Sequence, residues 1–365
     1  MTANQPDKAT ELEAMYTDMA AHSLEGLWRM ERHGPDVRPY LWQWDTVHRI
    51  VSQSAGLIDI AYPGERRAVA LVNPGIPGAL GSTHAIYTAV QLVKPGEVAR
   101  AHRHTPSALR FMIEGEGTST TVEGERVPMY PGDLVLTPSW LWHEHRNDSD
   151  ADAVWLDGLD SPLVFGLAAA VYEPYENGFL EETRPEDHTG RMVGLGALRP
   201  IGYEEAPGKG SPLLVYRWTA VEPAMQRMAE DGVDTPFDAV SIEYANSGSG
   251  GHTLPTMSCW MTMLRPGEHT KAHRHTHSSV YYAHRGSGAT IIDGQRFAWG
   301  ERDMLVVPPW AWHEHVNETD SVAYLFSIND VPTLEAFDLN REEAYAENDG
   351  HQQVASTFDP GNLGL

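Results

Sequence analysis

The chain has a single cysteine, Cys259, which excludes an internal disulfide. No apolar run reaches the length that a helix needs to cross a bilayer. The first ten residues are polar and lack the apolar segment of a secretory signal. We therefore expect a cytoplasmic protein in which Cys259, within the apolar run 257–264, is a small buried hydrophobe rather than a catalytic thiol.

Basic residues are also few. Lys and Arg number 26 against 51 Asp and Glu, the formal net charge is -25, and the basic residues form no stripe. This charge balance disfavours nucleic acid and anionic membrane surfaces as partners. We attribute the acidity to solubility or to a salty cytoplasm, with a specific cationic partner as the alternative. The 365 residues suffice for two domains with their own cores.

The sequence contains two copies of one unit. A Pro-Gly-Glu triplet followed by Ala-His-Arg-His-Thr starts at Pro95 and again at Pro266. A Pro-x-Trp-x-Trp-His-Glu-His block starts at Pro138 and again at Pro308. The two offsets, 171 and 170 residues, differ by one residue that a turn can absorb. This self-similarity indicates a duplicated domain.

Each unit is rich in short β-forming segments separated by Gly and Pro. In the first unit these segments are 89–93, 109–113, 118–122 and 133–136. Many short strands at regular spacing predict a sandwich or a barrel. Helical patterns lie outside the repeats, at 10–32, 223–230 and 334–347.

We therefore expect an all-β protein with peripheral helices. The predicted divisions are a helical or extended arm 1–60, a first β unit 61–170, a connecting segment of helix and loop 171–235, a second β unit 236–330, and a tail 331–365.

Each unit also carries two histidine pairs. His102 and His104 are two residues apart, as are His143 and His145. Residues i and i+2 of a strand project from one face, so each pair can direct two imidazoles at one point inside a barrel. A lone pair of this kind often makes only surface hydrogen bonds, but two pairs repeated in a second unit favour a metal site. Imidazole suits Fe, Zn, Cu and Ni, so the ligands alone do not identify the metal.

These blocks resemble the two cupin motifs, Gly-x5-His-x-His-x(3,4)-Glu-x6-Gly and Gly-x5-Pro-x-Gly-x2-His-x3-Asn. The matching residues of the first unit are Gly96, His102, His104, Gly117, Gly132, Pro138, His143 and Asn147. Trp140 stands where glycine is usual, and the glutamate position holds Arg110, or Tyr281 in the second unit. The resemblance implies a duplicated cupin, a jelly-roll barrel of the double-stranded β-helix type, with the usual carboxylate ligand missing from both units.

The missing carboxylate has a chemical consequence. Three neutral histidines leave the charge of a divalent metal uncompensated, which favours an anionic chelating substrate. An arginine cannot be a ligand, because it has no available lone pair, but it can hold a carboxylate through two hydrogen bonds. The alternative for Arg110 is an outward-facing salt bridge.

With arginine in that position, segments 102–111, 137–145 and 155–160 are similar to the gentisate 1,2-dioxygenase family. This bicupin family includes salicylate, 5-nitrosalicylate and 1-hydroxy-2-naphthoate dioxygenases. The resemblance implies an enzyme that uses O2 to split an aromatic ring between its carboxyl-bearing and hydroxyl-bearing carbons. It implies a small aromatic ortho-hydroxy acid as substrate, a homotetramer, and one Fe(II) per chain on His102, His104 and His143.

The resemblance also implies roles around the metal. Arg66 and Arg110 are candidates for holding the substrate carboxylate, although Arg66 is alternatively a solvated loop residue. His145 is a candidate for binding the substrate hydroxyl or moving a proton. The remaining pocket candidates are Gln91, Asp157, which is also a catalytic candidate, and Tyr87, which stands where the family often has Trp.

The second unit keeps a candidate metal set in His273, His275 and His313, but Tyr281 replaces the arginine. In the family the second unit is often structural, so we expect catalysis only in the first. Gentisate is the leading substrate, with salicylate, 5-nitrosalicylate and 1-hydroxy-2-naphthoate as alternatives. A non-catalytic storage or ligand-sensing bicupin is the alternative of a different class. A manganese decarboxylase of the oxalate type would need the glutamate that both units lack.

Overall fold

The computed structural model describes residues 8–26, 28, 37–58, 67–194 and 210–360. Contacts divide the chain into two compact units, Met1–Asp36 and Val37–Leu365. The described part of the smaller unit contains helix α1, Lys8–Ala21.

Helix α1 ends earlier than the sequence pattern predicts. Ser23 adopts a φ of 57°, and the Leu24 N–H donates to the Met19 carbonyl at 2.8 Å. This left-handed helix end satisfies a terminal carbonyl and turns the chain. The predicted helix over 10–32 is therefore wrong for residues 22–26 and 28, and residues 27 and 29–32 lie outside the described ranges.

The larger unit is built of short strands. In the first half and the connecting segment they are β1 Tyr40–Trp42, β2 Ala68–Ala70, β3 Tyr87–Val93, β4 Val98–His104, β5 Ala108–Glu114, β6 Thr118–Val122, β7 Glu125–Met129, β8 Leu134–Thr137, β9 His143–Asn147, β10 Ala153–Leu159, β11 Tyr172–Pro174 and β12 Val215–Tyr216. In the second half they are β13 Val240–Glu243, β14 Ser258–Leu264, β15 His273–His275, β16 Ser279–Arg285, β17 Gly288–Ile292, β18 Gln295–Trp299, β19 Met304–Val307, β20 His313–Val316, β21 Ala323–Asn329, β22 Glu342–Ala344 and β23 Ser356–Thr357.

The helices of the larger unit are short and peripheral. They are α2 Trp44–Ala55, α3 Ser161–Gly166, α4 His188–Val193, α5 Trp218–Glu230, α6 Val331–Ala336 and the 3-10 turn Asn348–Gly350. None of the described helices is long and apolar enough to span a membrane.

The strands form two barrels of two sheets each. In the first barrel the strand orders are β12-β8-β5-β10-β3-β2 and β11-β4-β9-β6-β7. In the second they are β1-β19-β16-β21-β14-β13 and β22-β15-β20-β17-β18-β23. All pairings between named strands are antiparallel except β18 with β23. The predicted all-β duplicated barrel with peripheral helices is confirmed.

The largest apolar core lies between the barrels. Side chains alternate along each strand, so in the sheet that contains β5 and in the sheet that contains β16 one face lines its own barrel and the other face is left for packing. These outer faces meet, and Phe111 stacks on Phe326 with ring centroids 4.3 Å apart. Cys259 belongs to this core and is fully buried, as predicted, and burial raises the pKa of its thiol.

The segments that precede the two barrels are exchanged between them. Strand β1 pairs with β19 of the second barrel, whereas β12 pairs with β8 of the first. The helix that follows each strand begins with an N–H bonded to an aspartate of the same barrel. Trp44 N–H donates to Asp303 at 2.8 Å, and Trp218 N–H donates to Asp133 at 3.0 Å. A carboxylate at a helix N-terminus satisfies an otherwise unpaired donor, so both segments are fixed in equivalent ways.

The other two predicted helices differ in outcome. Helix α5 contains the predicted segment 223–230 and begins five residues earlier, with Pro223 inside it. The helix predicted over 334–347 is wrong, because α6 ends at Ala336. Asp338 adopts a φ of 55° there, and the chain then forms strand β22 against β15.

One buried aspartate follows the last long strand of each barrel. Asp160 accepts the Ser107 N–H at 2.8 Å and also the hydroxyl of Thr256, which lies in the other half of the chain. Asp330 accepts the Ser278 N–H at 2.7 Å. Burial raises the pKa of each carboxyl to about 6, so ionisation opposes folding.

We predict that Asp160→Asn stabilises the protein more at pH 7.5 than at pH 5. Because the pKa of Asp160 is higher in the fold than in the unfolded chain, the ionised carboxylate destabilises the fold above about pH 6. That penalty fades as the pH falls toward the unfolded pKa near 3.8. Between pH 7.5 and pH 3.8 the difference in unfolding free energy between variant and parent should change by on the order of 2 kcal/mol, measured from urea unfolding. Asp330→Asn should behave likewise, and a difference independent of pH would contradict the prediction.

Candidate metal centre and substrate pocket

Two adjacent strands place three imidazoles together inside the first barrel. His102 and His104 lie on β4, and His143 lies opposite His102 on β9. The ring centroids of His102 and His143 are 4.2 Å apart, and those of His104 and His143 are 4.9 Å apart. One ring nitrogen from each of the three residues lies within 4.8 Å of the other two. The predicted convergence of these three side chains is present.

Backbone carbonyls orient all three rings. His102 Nδ1 lies 3.0 Å from the Arg100 carbonyl oxygen. His104 Nδ1 lies 2.7 Å from that of Pro106, and His143 Nδ1 lies 2.9 Å from that of Leu141. A carbonyl only accepts, so each Nδ1 carries a proton, and in the neutral form of each ring the lone pair is on Nε2. This is the tautomer that a metal ligand needs.

The environment of His143 fits a divalent metal. Its Nε2 is buried and has no hydrogen-bond partner among the described residues. Burial lowers the pKa of His143 well below its usual value, helped by His102, His104 and Arg110, so the ring is neutral at neutral pH. A buried nitrogen with a lone pair and no protein partner requires an explanation, and metal coordination supplies one.

The turn that delivers His143 contains a strained tryptophan. Trp140, at the position where glycine is usual, has a φ of 65°, in the left-handed region that side chains disfavour. The Arg103 guanidinium lies 4.3 Å from the Trp140 ring and 4.4 Å from the Trp142 ring. These cation–π contacts hold the turn, and the Trp140 N–H donates to the His104 carbonyl at 2.8 Å.

Arg110 projects into the same barrel and does not face solvent. It lies opposite Asp157 in the register of β5 and β10, and its Nε is 3.3 Å from an Asp157 carboxylate oxygen. Its Nη1 donates to the hydroxyl of Thr137. Both members of the ion pair are about 5% exposed, which excludes the outward-facing salt bridge considered for Arg110.

Asp157 organises one wall of the pocket. Besides its ion pair with Arg110, Asp157 accepts a hydrogen bond from the Trp155 indole N–H at 3.0 Å. Burial, and secondarily the Asp157 charge, raise the pKa of Tyr87 to about 12, so this phenol stays protonated. Gln91 is buried on β3 opposite Trp155, on the same strand face as Tyr87. The structure thus brings Tyr87, Gln91, Arg110 and Asp157 to one sheet.

His145 lies on the strand that carries His143 and faces the same interior. It is fully buried, its ring centroid is 5.6 Å from that of His143, and its Nδ1 is 2.9 Å from the Thr120 hydroxyl. The hydroxyl fixes the ring orientation next to the triad. Arg66 lies outside the described residues. Its neighbour Arg67 is buried and binds Glu97 and the Ile58 carbonyl, which is a structural role.

Sequence reasoning missed several supporting residues. Thr120 lies in no motif, and Thr137 and Trp155 lie in matching segments without an assigned role; only the finished barrel places the three beside His145, Arg110 and Asp157. Tyr172 was also missed. It lies on β11, which pairs with β4, and its ring stacks on His102 with centroids 5.3 Å apart.

The second barrel repeats the triad in a different setting. The ligand nitrogens of His273, His275 and His313 also lie within 4.8 Å of one another. However, Tyr281 and Ser327 are register partners where the first barrel has Arg110 and Asp157. The second interior therefore keeps three imidazoles and lacks the cationic group and its carboxylate.

Three further histidines of the second half have packing roles. His277 stacks on His275 with ring centroids 3.3 Å apart. His315 packs edge-on against Tyr281, and burial lowers its pKa to about 3. His284 lies between the barrels against Phe111 and Trp218.

Comparisons with known proteins agree with this architecture. A family model described as "Cupin domain" matches residues 89–158 and 260–329. A 5-aminosalicylate 1,2-dioxygenase from Comamonas sp is 42% identical over 98% of this chain and 96% of that protein. A gentisate 1,2-dioxygenase from Streptomyces sp is 36% identical over 93% of this chain and 97% of that protein.

A solved structure gives the same result. The crystal structure of a salicylate 1,2-dioxygenase from Pseudoaminobacter salicylatoxidans, in adducts with gentisate, superposes with a TM-score of 0.86. It is 32% identical and covers 94% of this chain and 96% of that chain. Fold and site thus define a bicupin ring-cleaving dioxygenase. The chain belongs to the family that contains gentisate, salicylate and 5-aminosalicylate 1,2-dioxygenases.

We predict that a matched pair of variants, one in each histidine triad, has different effects on oxygen uptake. His143→Ala should remove the metal held in the first barrel and abolish substrate-dependent oxygen uptake. His313→Ala, at the equivalent position of the second barrel, should leave oxygen uptake within about twofold of the parent. Metal analysis and an oxygen electrode measure both effects. Loss of oxygen uptake in His313→Ala with first-barrel metal intact would contradict catalysis confined to the first barrel.

Proposed function

We propose that the protein is an Fe(II)-dependent dioxygenase that opens the ring of gentisate between the carboxyl-bearing C1 and the hydroxyl-bearing C2. Both atoms of O2 enter the product, maleylpyruvate. The observation that carries the proposal is the buried Arg110–Asp157 pair beside a triad of histidines without a carboxylate ligand. This combination suits a substrate that brings its own negative charges.

His102, His104 and His143 are the proposed ligands of the iron, and their Nε2 lone pairs fit a divalent metal. When bound, Fe(II) supplies the one-electron chemistry that allows O2 to react with a closed-shell aromatic acid. We propose that this happens only in the first barrel, since the second lacks equivalents of Arg110 and Asp157.

Arg110 is the proposed anchor for the substrate carboxylate. A guanidinium has five N–H donors in a planar fork that suits a carboxylate, and the contacts with Asp157 and Thr137 fix its plane. Asp157 therefore acts as a positioning residue for Arg110, while Arg66 is proposed as a second carboxylate contact. Holding the ring in one orientation lowers the entropic barrier to reaction with O2.

His145 is the proposed acceptor of the proton from the substrate hydroxyl. Its ring is held by Thr120 next to the triad, where a chelating hydroxyl would lie. Tyr87 and Gln91 are proposed to contact the ring and its substituents from the opposite sheet.

A second substrate, 5-aminosalicylate, is favoured by the 42% identical relative of that name. Gentisate and 5-aminosalicylate are both 2-hydroxybenzoates with an electron-donating group at C5, para to the ring hydroxyl. Such a group enriches the ring in electrons and eases its oxidation.

A substrate panel tests the proposal. With Fe(II) restored, gentisate, 5-aminosalicylate, salicylate and 1-hydroxy-2-naphthoate are compared by oxygen uptake and by ultraviolet absorbance of the ring-opened product. Gentisate should give the highest kcat/KM. Turnover of salicylate without turnover of gentisate would overturn the substrate assignment. Iron-loaded protein that turns over none of the four would favour a binding protein.

We predict that Arg110→Gln lowers kcat/KM for gentisate by about 10- to 150-fold, mainly through KM. The expected loss is that of hydrogen bonds to a charged group, about 1.5–3 kcal/mol. Iron content should stay at the parent level, because Arg110 is not a ligand. Tyr281→Phe, at the equivalent position of the second barrel, is the control and should change kcat/KM by less than twofold. An unchanged KM for gentisate in Arg110→Gln would contradict the anchoring role.

A further inference from the structure

A third cluster of metal-binding side chains lies on the outer face of the second barrel. Glu314 stands between His313 and His315 on β20, so strand alternation directs it away from the barrel interior. Its side chain is nevertheless fully buried beneath the C-terminal segment. One carboxylate oxygen accepts the backbone N–H of Gln352 at 2.7 Å, which fixes the carboxylate plane.

Two imidazoles meet at the other carboxylate oxygen of Glu314. His269 Nε2 is 2.9 Å from it and His351 Nδ1 is 2.8 Å from it. The two rings lie with centroids 4.2 Å apart. Their side chains are 38% and 25% exposed, so one side of the cluster opens to solvent while the carboxylate side is closed.

The first barrel shows which part of this cluster is shared. Glu144 occupies the position of Glu314 and accepts the Leu180 N–H at 2.8 Å, as Glu314 accepts that of Gln352. Val98 and Phe179 stand where the second half has His269 and His351. The buried carboxylate and its backbone donor are thus common to both barrels, and the two imidazoles belong to the second alone.

The charge on the carboxylate is handled differently in the two barrels. Arg146 lies 3.7 Å from Glu144 and supplies a cation. The register-equivalent residue in the second barrel is Val316, which has no charge. The buried Glu314 therefore faces two nitrogen atoms where its counterpart faces a guanidinium.

We propose that His269, Glu314 and His351 bind a divalent transition-metal ion of the zinc type on the outside of the second barrel. Two imidazoles and a carboxylate form a common zinc ligand set, with water completing the coordination. Tetrahedral ligand atoms about 2.1 Å from a zinc ion lie about 3.4 Å apart, so each nitrogen needs to move by only about 0.5 Å from its hydrogen-bonded distance of 2.9 or 2.8 Å to Glu314. His351 follows the 3-10 turn Asn348–Gly350, so the ion fastens the C-terminal segment to the barrel wall. The site is separate from the proposed iron centre.

Zinc alone is the probe. Crystals of the full-length, iron-loaded protein soaked in ZnCl2 should show anomalous density at the zinc edge between the three side chains. In parallel, zinc per chain is measured after equilibrium dialysis for the parent and for the double variant His269→Val/His351→Phe, which copies the first barrel. The parent should hold one more zinc per chain. Zinc that replaces another metal at the interior histidines raises the zinc count of both proteins equally, so the difference of one zinc per chain between them remains.

Two further variants complete the test. Glu314→Gln keeps the side-chain shape and should weaken zinc binding at least tenfold. His252→Val is the control, because His252 contacts Glu243 and Glu335 through opposite ring nitrogens, which cannot converge on one ion. It should leave the zinc count unchanged. Oxygen uptake equal to the parent's shows that the double variant is folded. Equal zinc counts in parent and double variant, or zinc density at the interior histidines with none between these three residues, would overturn the proposal.

Discussion

The alternation of side chains along the barrel strands is the constraint on which the rest of the structure depends. The sheet that contains β5 and β10 and the sheet that contains β16 and β21 each have an apolar face, and these two faces pack against each other through contacts such as Phe111 with Phe326. The opposite faces must then point into the barrels. Strands β5 and β10 therefore carry polar groups inward without weakening the largest core, and a one-residue slip in either of them would exchange core and site.

The interior of the first barrel balances its charges without an acidic ligand. The imidazole of His143 is neutral, Arg110 is cationic, and Asp157 neutralises Arg110. A bound divalent metal would leave the pocket strongly positive, which matches an acid that chelates through two oxygens. The second barrel shows what the same fold becomes when Tyr281 and Ser327 replace the ion pair: the triad remains, and the guanidinium and carboxylate at these two positions are gone.

How far the sequence predicts this site depends on the distance over which each contact acts. The pairs His102–His104 and His143–His145 follow from spacing within a strand, and the duplication follows from direct comparison of the two halves. The Arg103 contacts with Trp140 and Trp142 join strand β4 to the turn before β9, so no local pattern predicts them. The helix predicted over 334–347 failed because Asp338 takes a left-handed conformation, which a pattern of apolar residues does not encode.

The exchanged segments also bear on how such a chain could arise. Strand β1 with α2 serves the second barrel, and β12 with α5 serves the first, through the matched contacts of Trp44 with Asp303 and Trp218 with Asp133. Two separate copies of a single ancestral half could make the same reciprocal exchange as a domain-swapped homodimer. Gene fusion would then have required only a covalent connection between partners that were already interlocked. Afterwards each half was free to diverge, as the different residue pairs Arg110–Asp157 and Tyr281–Ser327 at equivalent positions illustrate.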